Sequence, residues 1–319
     1  MAGPAGGIAG ARYAAQLVNE GNLITFDMGG TSTDISLLKD GEPQLTSENA
    51  IGDSKVALPT IDIHTVAAGG GSIAHVDAAG ILRTGPESAG AVPGPASYGR
   101  GGTEPATTDA NVVLGYLDPD NFRGGRATLD VEAARKAVAK VAEPLGMSVE
   151  DAAQGIQRVV NTTMAEAIRL VSVRRGIDPR KSALMSFGGA AGLHVTSVAR
   201  ELDISRIFVP KVASVLSAWG MLASDLRYEL VRTFTQTDED PATTVRRMFD
   251  EMQTDGVARL RENFDGEITA QFSADMRYGE QVFEIQVPLD SRVDLSADDL
   301  IEQMQDYFHK RHEELYTYS

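Results

Sequence analysis

The chain contains no cysteine. That excludes a disulfide framework and any thiolate metal centre, and it suits a reducing compartment. Positive charge is also short: 29 Lys and Arg stand against 45 Asp and Glu, a formal net charge of −16. Nucleic-acid backbones are held by clustered Lys and Arg, so no nucleic-acid partner is expected. No apolar run approaches the ~20 residues that span a bilayer. The opening segment, MAGPAGGIAGARYAAQL, has no basic start leading into a long apolar core. These absences predict a cytoplasmic protein with no membrane partner.

What is present is an ordinary globular composition over 319 residues, 42% hydrophobic and 23% charged. That length suits two domains at ~150 residues each. The 32 glycines gather in loops between apolar runs. This is the pattern of an α/β enzyme whose turns approach a ligand.

The most informative segment is Leu23 to Leu38, LITFDMGGTSTDISLL. Two apolar runs flank Asp27, Gly29, Gly30, Thr31, Ser32, Thr33 and Asp34. The spacing predicts a tight β-hairpin with an acid at the end of its first strand. Successive N–H groups in such a turn form a concavity for an anion. Asp27 beside it is placed to hold Mg²⁺ through water on a polyphosphate. A second glycine turn lies in ALMSFGGAAGLH, Ala183 to His194, where Gly188 and Gly189 close a strand and are expected to open a helix over about Leu193 to Leu202. A helix N-terminus favours an anion. Two anion-binding turns in one chain suit a nucleotide.

Weaker candidates follow. The loop Gly69, Gly70, Gly71, Ser72 can bring amides against an oxyanion or substrate, or be a plain turn. Asp109, beside the Gly- and Pro-rich stretch Gly85 to Pro105, can orient substrate or tie that stretch down. The stretch itself is expected to lack regular structure. Asp62 with His64, His75 with Asp77, and His309 with His312 have spacings that permit metal ligation, but nothing in the sequence brings either strand pair together.

Periodicity predicts helices over Ala5 to Glu20, Leu129 to Leu145 and Val149 to Arg175, the last capped by Ser148. Strands are predicted at Gln44 to Ile51, Leu58 to Val66, Ser182 to Phe187 and Ile204 to Val209. A further hairpin pairs Ile73–Val76 with Ile81–Arg83. Strand, glycine turn, helix and strand imply βαβ topology and a parallel sheet. After a polar linker, TQTDEDPATT, a smaller α+β module is expected, with a helix over Thr244 to Asn263, strands at Ile268 to Tyr278 and Val282 to Leu289, and a last helix capped by Ser296.

The motifs GPAGGIAGA, FDMGGTSTDISL, DIHTVAAGGGSIA, GPESAGAVPGPASYGRGGTEPATTDANVVLG, VRRGIDPRKSALMSFGGAAGLH and PKVASVLSAWGMLASD occur in order along the chain. Through them the chain resembles the hydantoinase A/5-oxoprolinase family, which includes the A-type component of N-methylhydantoinase and the β component of acetone carboxylase. The resemblance implies an α/β fold, an actin-like ATPase (ribonuclease-H-like) lobe over 1–230, then a partial C-terminal α+β module over 231–319. It implies ATP and Mg as cofactors. Asp27, Gly29, Gly30 and Thr31 match the second phosphate-binding hairpin, and Gly188, Gly189 and Ala190 the adenosine-side turn. The implied activity is ATP-dependent opening of a cyclic amide or imide through phosphorylation of the amide oxygen. The alternatives are activation of a ketone and bicarbonate, or a non-catalytic nucleotide-binding module. The family's first hairpin and its lobe have no counterpart here. A hydantoinase B-type subunit or a separate first-lobe chain is therefore the expected partner, in an oligomer. Ser97 stands where the family commonly carries cysteine.

Overall fold

The computed structural model describes residues 2–46, 49–51, 54–56, 60–235, 240–279, 281, 284–289, 294–296 and 298–316. The chain divides into two compact units, Met1–Ser224 and Asp225–Ser319. In order, the first unit carries α1 (Ala2–Leu17), β1 (Leu23–Met28), β2 (Thr33–Lys39), β3 (Glu42–Pro43), β4 (Leu45–Thr46), β5 (Asn49–Ile51), β6 (Ser54–Val56), β7 (Thr60–Ile61) and β8 (His64–Val66). There follow β9 (Ser72–Val76), β10 (Leu82–Ser88), α2 (Thr107–Val113), α3 (Val131–Leu145), α4 (Val149–Val173), β11 (Ala183–Phe187), α5 (Val195–Glu201), β12 (Ile207–Phe208) and α6 (Leu216–Leu222).

The main sheet runs β12-β11-β1-β2-β3, with β8 also paired to β2. A tight turn joins β1 to β2, so they pair antiparallel, Asp27 opposite Asp34. β11 reaches β1 only after the helical crossover, so it pairs parallel, Phe187 opposite Asp27. β12 is again parallel to β11, as the βαβ pattern predicts.

Strand side chains alternate between faces, and both faces are covered. Ile24, Phe26, Met28, Ile35, Leu37 and Leu184 pack with Val160, Met164 and Ile168 of α4 and Val195 and Val198 of α5. Leu23, Leu38, Ala183, Met185 and Phe187 pack with Ile8, Ala11 and Ala15 of α1 and Leu216 of α6. Asp27 has the parity of Leu23 and Thr25, so it belongs to the α1/α6 face.

α1 and α6 meet backbone to backbone. A β-carbon on Gly220 would overlap the Gly6 carbonyl oxygen and come within 2.5 Å of the Gly10 nitrogen, and one on Gly10 would lie 3.0 Å from the Leu216 carbonyl oxygen. Gly6 and Gly10 are one helical turn apart, so together they make the groove that admits Gly220. On the other flank, Asp130 and Ser148 cap α3 and α4 by accepting N–H bonds from Ala133 and Asp151.

Several expectations are corrected. The stretch Gly85 to Pro105 is partly regular: β10 runs through Gly85 and Pro86 to Ser88, and Ala96–Tyr98 form a 3₁₀ turn. Proline is tolerated there because Pro86 falls within the register shift between Thr84 and Ser88, where the β9–β10 ladder is interrupted. The predicted strand Gln44 to Ile51 is broken into β4 and β5, with 47–48 outside the described residues. Of Leu58 to Val66, 58–59 likewise fall outside, and the remainder holds two short strands, β7 and β8, separated by Asp62 and Ile63. Gly188 and Gly189 lead first into a 3₁₀ turn, Ala191–Leu193, and α5 starts only at Val195.

The second unit holds α7 (Pro241–Arg261), β13 (Ser273–Met276), β14 (Ile285–Pro288) and α8 (Leu300–Tyr316). β13 and β14 are antiparallel. Val245, Ile285, Val287, Leu300, Met304 and Phe308 form its core. α8 begins at Leu300 and not near Ser296, whose hydroxyl donates to Asp294 Oδ1 at 2.7 Å. Linker residues 236–239 and the predicted strand start at 282–283 lie outside the described residues. Among the described residues, no helix is long and apolar enough to cross a membrane.

Candidate functional site

The register of the central strands brings the two glycine turns together. β1 ends at Asp27 and Met28, β11 ends beside it at Phe187, and both turns leave from this edge. Gly188 sits at φ 88°, in the left-handed region, and packs on the acid itself. A β-carbon there would overlap Asp27 Oδ1 and lie 2.5 Å from the Met28 carbonyl oxygen. Glycine is thus required twice at this residue, for its φ and for its contact.

Asp27 and Asp34 line one recess with Pro4, Ile8, Ile63 and Phe187. Burial pushes the Asp27 carboxyl above the usual carboxylate range, and the charge of Asp34 pushes it the same way. A hydrogen bond from Ser217 opposes both. The Ser217 hydroxyl donates to Asp27 Oδ2 at 3.3 Å. Asp34 Oδ1 accepts from the Thr65 hydroxyl at 2.6 Å. Two half-buried carboxylates on one face make a place where a cation is favoured.

The amides divide into used and unused. Gly29 N–H closes the hairpin turn on the Ser32 carbonyl at 3.1 Å, Gly188 N–H donates to Ala213, and Ala190 N–H donates to Met28. The expectation that the Gly29 amide holds phosphate is therefore corrected, and the Ala190 amide is spent as well. Among the described residues, Gly30, Thr31, Ser32 and Gly189 have N–H groups with no hydrogen-bond partner. Gly30 and Thr31 are exposed. The Thr33 hydroxyl is buried and turned inward, donating to the Ala68 carbonyl at 2.6 Å.

The loop at Gly69–Ser72 offers its amides to the protein. Gly70 N–H donates to the Gly29 carbonyl at 3.1 Å and Gly71 N–H to the Gly30 carbonyl at 2.5 Å. Ser72 N–H donates to Gly69, and Ser72 Oγ accepts from Gly69 N–H at 2.9 Å. The loop is a strut under the hairpin turn, which corrects the expectation of an oxyanion cradle. Asp109 is fully buried, and its carboxylate accepts the N–H groups of Ala96, Ser97 and Ala106 at 2.8–3.1 Å. It ties down the Gly- and Pro-rich stretch. Burial raises its pKa, and those hydrogen bonds oppose the rise.

Sequence reasoning missed a buried polar chain behind the second turn. His194 Nδ1 is 2.8 Å from Asn161 Oδ1, its Nε2 is 3.3 Å from Asn111 Nδ2, and Asn111 Oδ1 accepts from Gln157. Neutral imidazole fits: Nδ1–H donates and Nε2 accepts. Burial lowers the His194 pKa to about 4, so it is neutral at physiological pH. α2, which carries Asn111, also holds Gly70 through the Thr108 hydroxyl at 2.8 Å. Alternation along β1 could have paired Asp27 with the α1/α6 face, but nothing in the sequence named Ser217 or His194.

The spaced acid–histidine pairs do not assemble. Asp62 forms an ion pair with Arg175. Asp77 accepts from Ala79 N–H, Ile81 N–H and Arg83, fixing the β9–β10 turn. His309 Nδ1 meets the Tyr278 hydroxyl at 2.5 Å, and His312 Nε2 meets Gln281 at 2.8 Å. Among the described residues, no group of three His, Asp or Glu side chains could hold a metal ion.

A family profile described as Hydantoinase/oxoprolinase matches residues 1–230. The sequence is 42% identical over 325 residues to the alpha subunit of caprolactamase from Pseudomonas jessenii, covering 99% of this chain and 46% of that protein. It is 30% identical over 335 residues to the beta subunit of acetone carboxylase from Xanthobacter autotrophicus, covering 100% of this chain and 46% of that one. Nucleotide-free acetone carboxylase superposes with TM-score 0.81 at 28% identity, over 98% of this chain and 46% of that chain. The crystal structure of the ATP-dependent caprolactamase from Pseudomonas jessenii superposes with TM-score 0.76 at 41% identity, with the same coverage. The chain spans about half the length of the curated relatives it matches.

Proposed function

The chain belongs to the hydantoinase/oxoprolinase family, and from that premise we propose that it forms the phosphate-gripping part of an ATP-dependent enzyme that opens cyclic amides or imides. The observation that carries this reading is the strand register that sets Asp27, Asp34 and both glycine turns at one edge. The sheet order β3-β2-β1-β11-β12, antiparallel then parallel, supports an actin-like, ribonuclease-H-like lobe.

Mg²⁺-ATP fits the groups present: open N–H donors for phosphate lie beside two carboxylates for the cation. ATP would supply the phosphoryl group that turns an amide oxygen into a leaving group, which an unstrained lactam otherwise lacks. Asp27 would hold Mg²⁺ through water. The N–H groups of Gly30, Thr31 and Ser32 would bind phosphate oxygens, with the Thr31 and Ser32 hydroxyls beside them. Gly189 would face the α-phosphate and ribose. Gly70, Gly71 and Ser72 would act through the hairpin they support, and Asp109 through the loop it fixes. The proposed partner is a hydantoinase B-type subunit or a chain supplying the first lobe. Relatives named as alpha and beta subunits support such an assembly.

A second reading, activation of a ketone and bicarbonate, is favoured by the TM-score of 0.81 to acetone carboxylase. The 42% identity to the caprolactamase chain favours the first. Calorimetry of the 319-residue chain with Mg²⁺-ATP tests the site. Wild type is expected to bind and Asp27→Ala to lose at least tenfold in affinity, roughly the worth of one strong charged contact. Equal binding by both would sink the assignment of Asp27. ATPase assays of the co-expressed complex across lactams, hydantoins, 5-oxoproline and ketones then separate the two readings.

A further inference from the structure

Two motifs, GPAGGIAGA and VLSAWG, take no part in the phosphate grip. They meet as α1 and α6. Gly220 enters the groove of Gly6 and Gly10, and a β-carbon on Gly6 would overlap the Ser217 carbonyl oxygen. One step along α1, a β-carbon on Gly7 would lie 2.9 Å from Ser217 Oγ and 2.7 Å from the Phe187 ring. The missing side chain at Gly7 is what leaves room for the serine hydroxyl to reach the edge of the sheet. There it donates to Asp27 Oδ2 at 3.3 Å. The other carboxylate oxygen, Oδ1, is packed on Gly188. Each oxygen therefore has its own neighbour, one from α6 and one from the second turn, and the carboxylate plane is fixed between them.

We propose that Ser217 is a positioning residue for Asp27, and that the glycine contact of α1 and α6 sets where its hydroxyl lies. The inference rests on the reading of Asp27 as the carboxylate that holds hydrated Mg²⁺. A carboxylate that acts through water needs its oxygens aimed, because the water must span carboxylate and cation at once. With Oδ2 held from α6, the freedom of Asp27 to rotate about its side chain is restricted before nucleotide arrives.

The test is calorimetry of the full chain with ATP, in Mg²⁺ and in EDTA, on wild type, Ser217→Ala, Ser217→Thr, Asp27→Ala and the double variant Asp27→Ala/Ser217→Ala. In wild type, Mg²⁺ should tighten ATP binding. Ser217→Ala should lose about five- to tenfold of that Mg²⁺-dependent gain, as expected for the net worth of an ordinary hydrogen bond, and leave affinity in EDTA unchanged. Ser217→Thr, which keeps the hydroxyl, should restore it. The double variant should match Asp27→Ala, because the serine acts only through the acid. A Mg²⁺ gain untouched by Ser217→Ala while Asp27→Ala abolishes it overturns the positioning role alone, as does equal weakening with and without Mg²⁺. A Mg²⁺ gain untouched by Asp27→Ala, or absent from wild type, overturns the reading of Asp27 beneath it. Crystal structures of wild type and Ser217→Ala provide a readout free of nucleotide. The Asp27 carboxylate should leave its wild-type rotamer in the variant, and an unchanged rotamer overturns the proposal.

Discussion

The two faces of the central sheet are covered by helices that pack in different ways. Toward α4 and α5, large apolar side chains such as Ile24, Met164 and Ile168 pack together. On the other face Leu23, Met185 and Phe187 meet Ile8 and Leu216, but the two covering helices, α1 and α6, touch each other backbone to backbone, and the polar residues Thr25, Asp27, Asp34 and Ser36 share this face. A face made of flexible side chains can absorb small changes by moving rotamers. A helix pair in backbone contact cannot, and it covers the face where the acids stand. Precision of the carboxylates is linked to the face with the least room to yield.

The largest expected effect tests the rigid face. Gly220→Ala places a methyl group against Gly6 and Gly10 backbone atoms, which move only with their helix. A loss of about 3 kcal/mol is expected, the upper end for overpacking, read as a shift of the urea midpoint. The next effect belongs to the opposite flank. His194 is neutral when folded, with its pKa lowered to about 4 by burial against an ordinary 6.5. The unfolded chain therefore takes up a proton that the folded chain refuses. Stability should be full above pH 6.5, fall as pH drops toward about 4, and level off below that. The total is at most about 3 kcal/mol. His194→Gln should remove this slope in urea titrations between pH 7 and 4. Smallest is Ile168→Val, which deletes one methyl group from the side-chain face at about 1 kcal/mol. If it costs as much as Gly220→Ala, the contrast between the faces is broken.

Much of the fold was legible because strands and helices announce themselves by period. The run from Leu23 to Leu38 alternates around a glycine turn, and the crossover from Ala183 to Phe208 carries βαβ logic. Other features were out of reach for a physical reason. GGGS between two strands looks the same whether its amides face a ligand or the carbonyls of Gly29 and Gly30. Gly6, Gly10 and Gly220 read locally as weak helix formers, because their value lies in a partner far along the chain. The GG turn at Gly188 suggested a helix start, but Ala191–Leu193 first closes a 3₁₀ turn. The buried bonds of His194 to Asn111 and Asn161 join three segments that no periodicity connects.

The contact of α1 with α6 also has a consequence in time. Ser217 and Asp27 are 190 residues apart in sequence. At roughly 5–20 residues per second during synthesis, that separation is about 10–40 s. Throughout that interval β1 and β2 can close as a hairpin, and β11 can add to it once it emerges. The glycine-lined side of α1, however, has nothing to dock on until residue 220 has been made. The edge where Asp27 and the two glycine turns meet is therefore expected to be among the last parts of this unit to assemble. A nascent chain halted before α6 would carry the hairpin motif intact while lacking the hydroxyl that aims its acid.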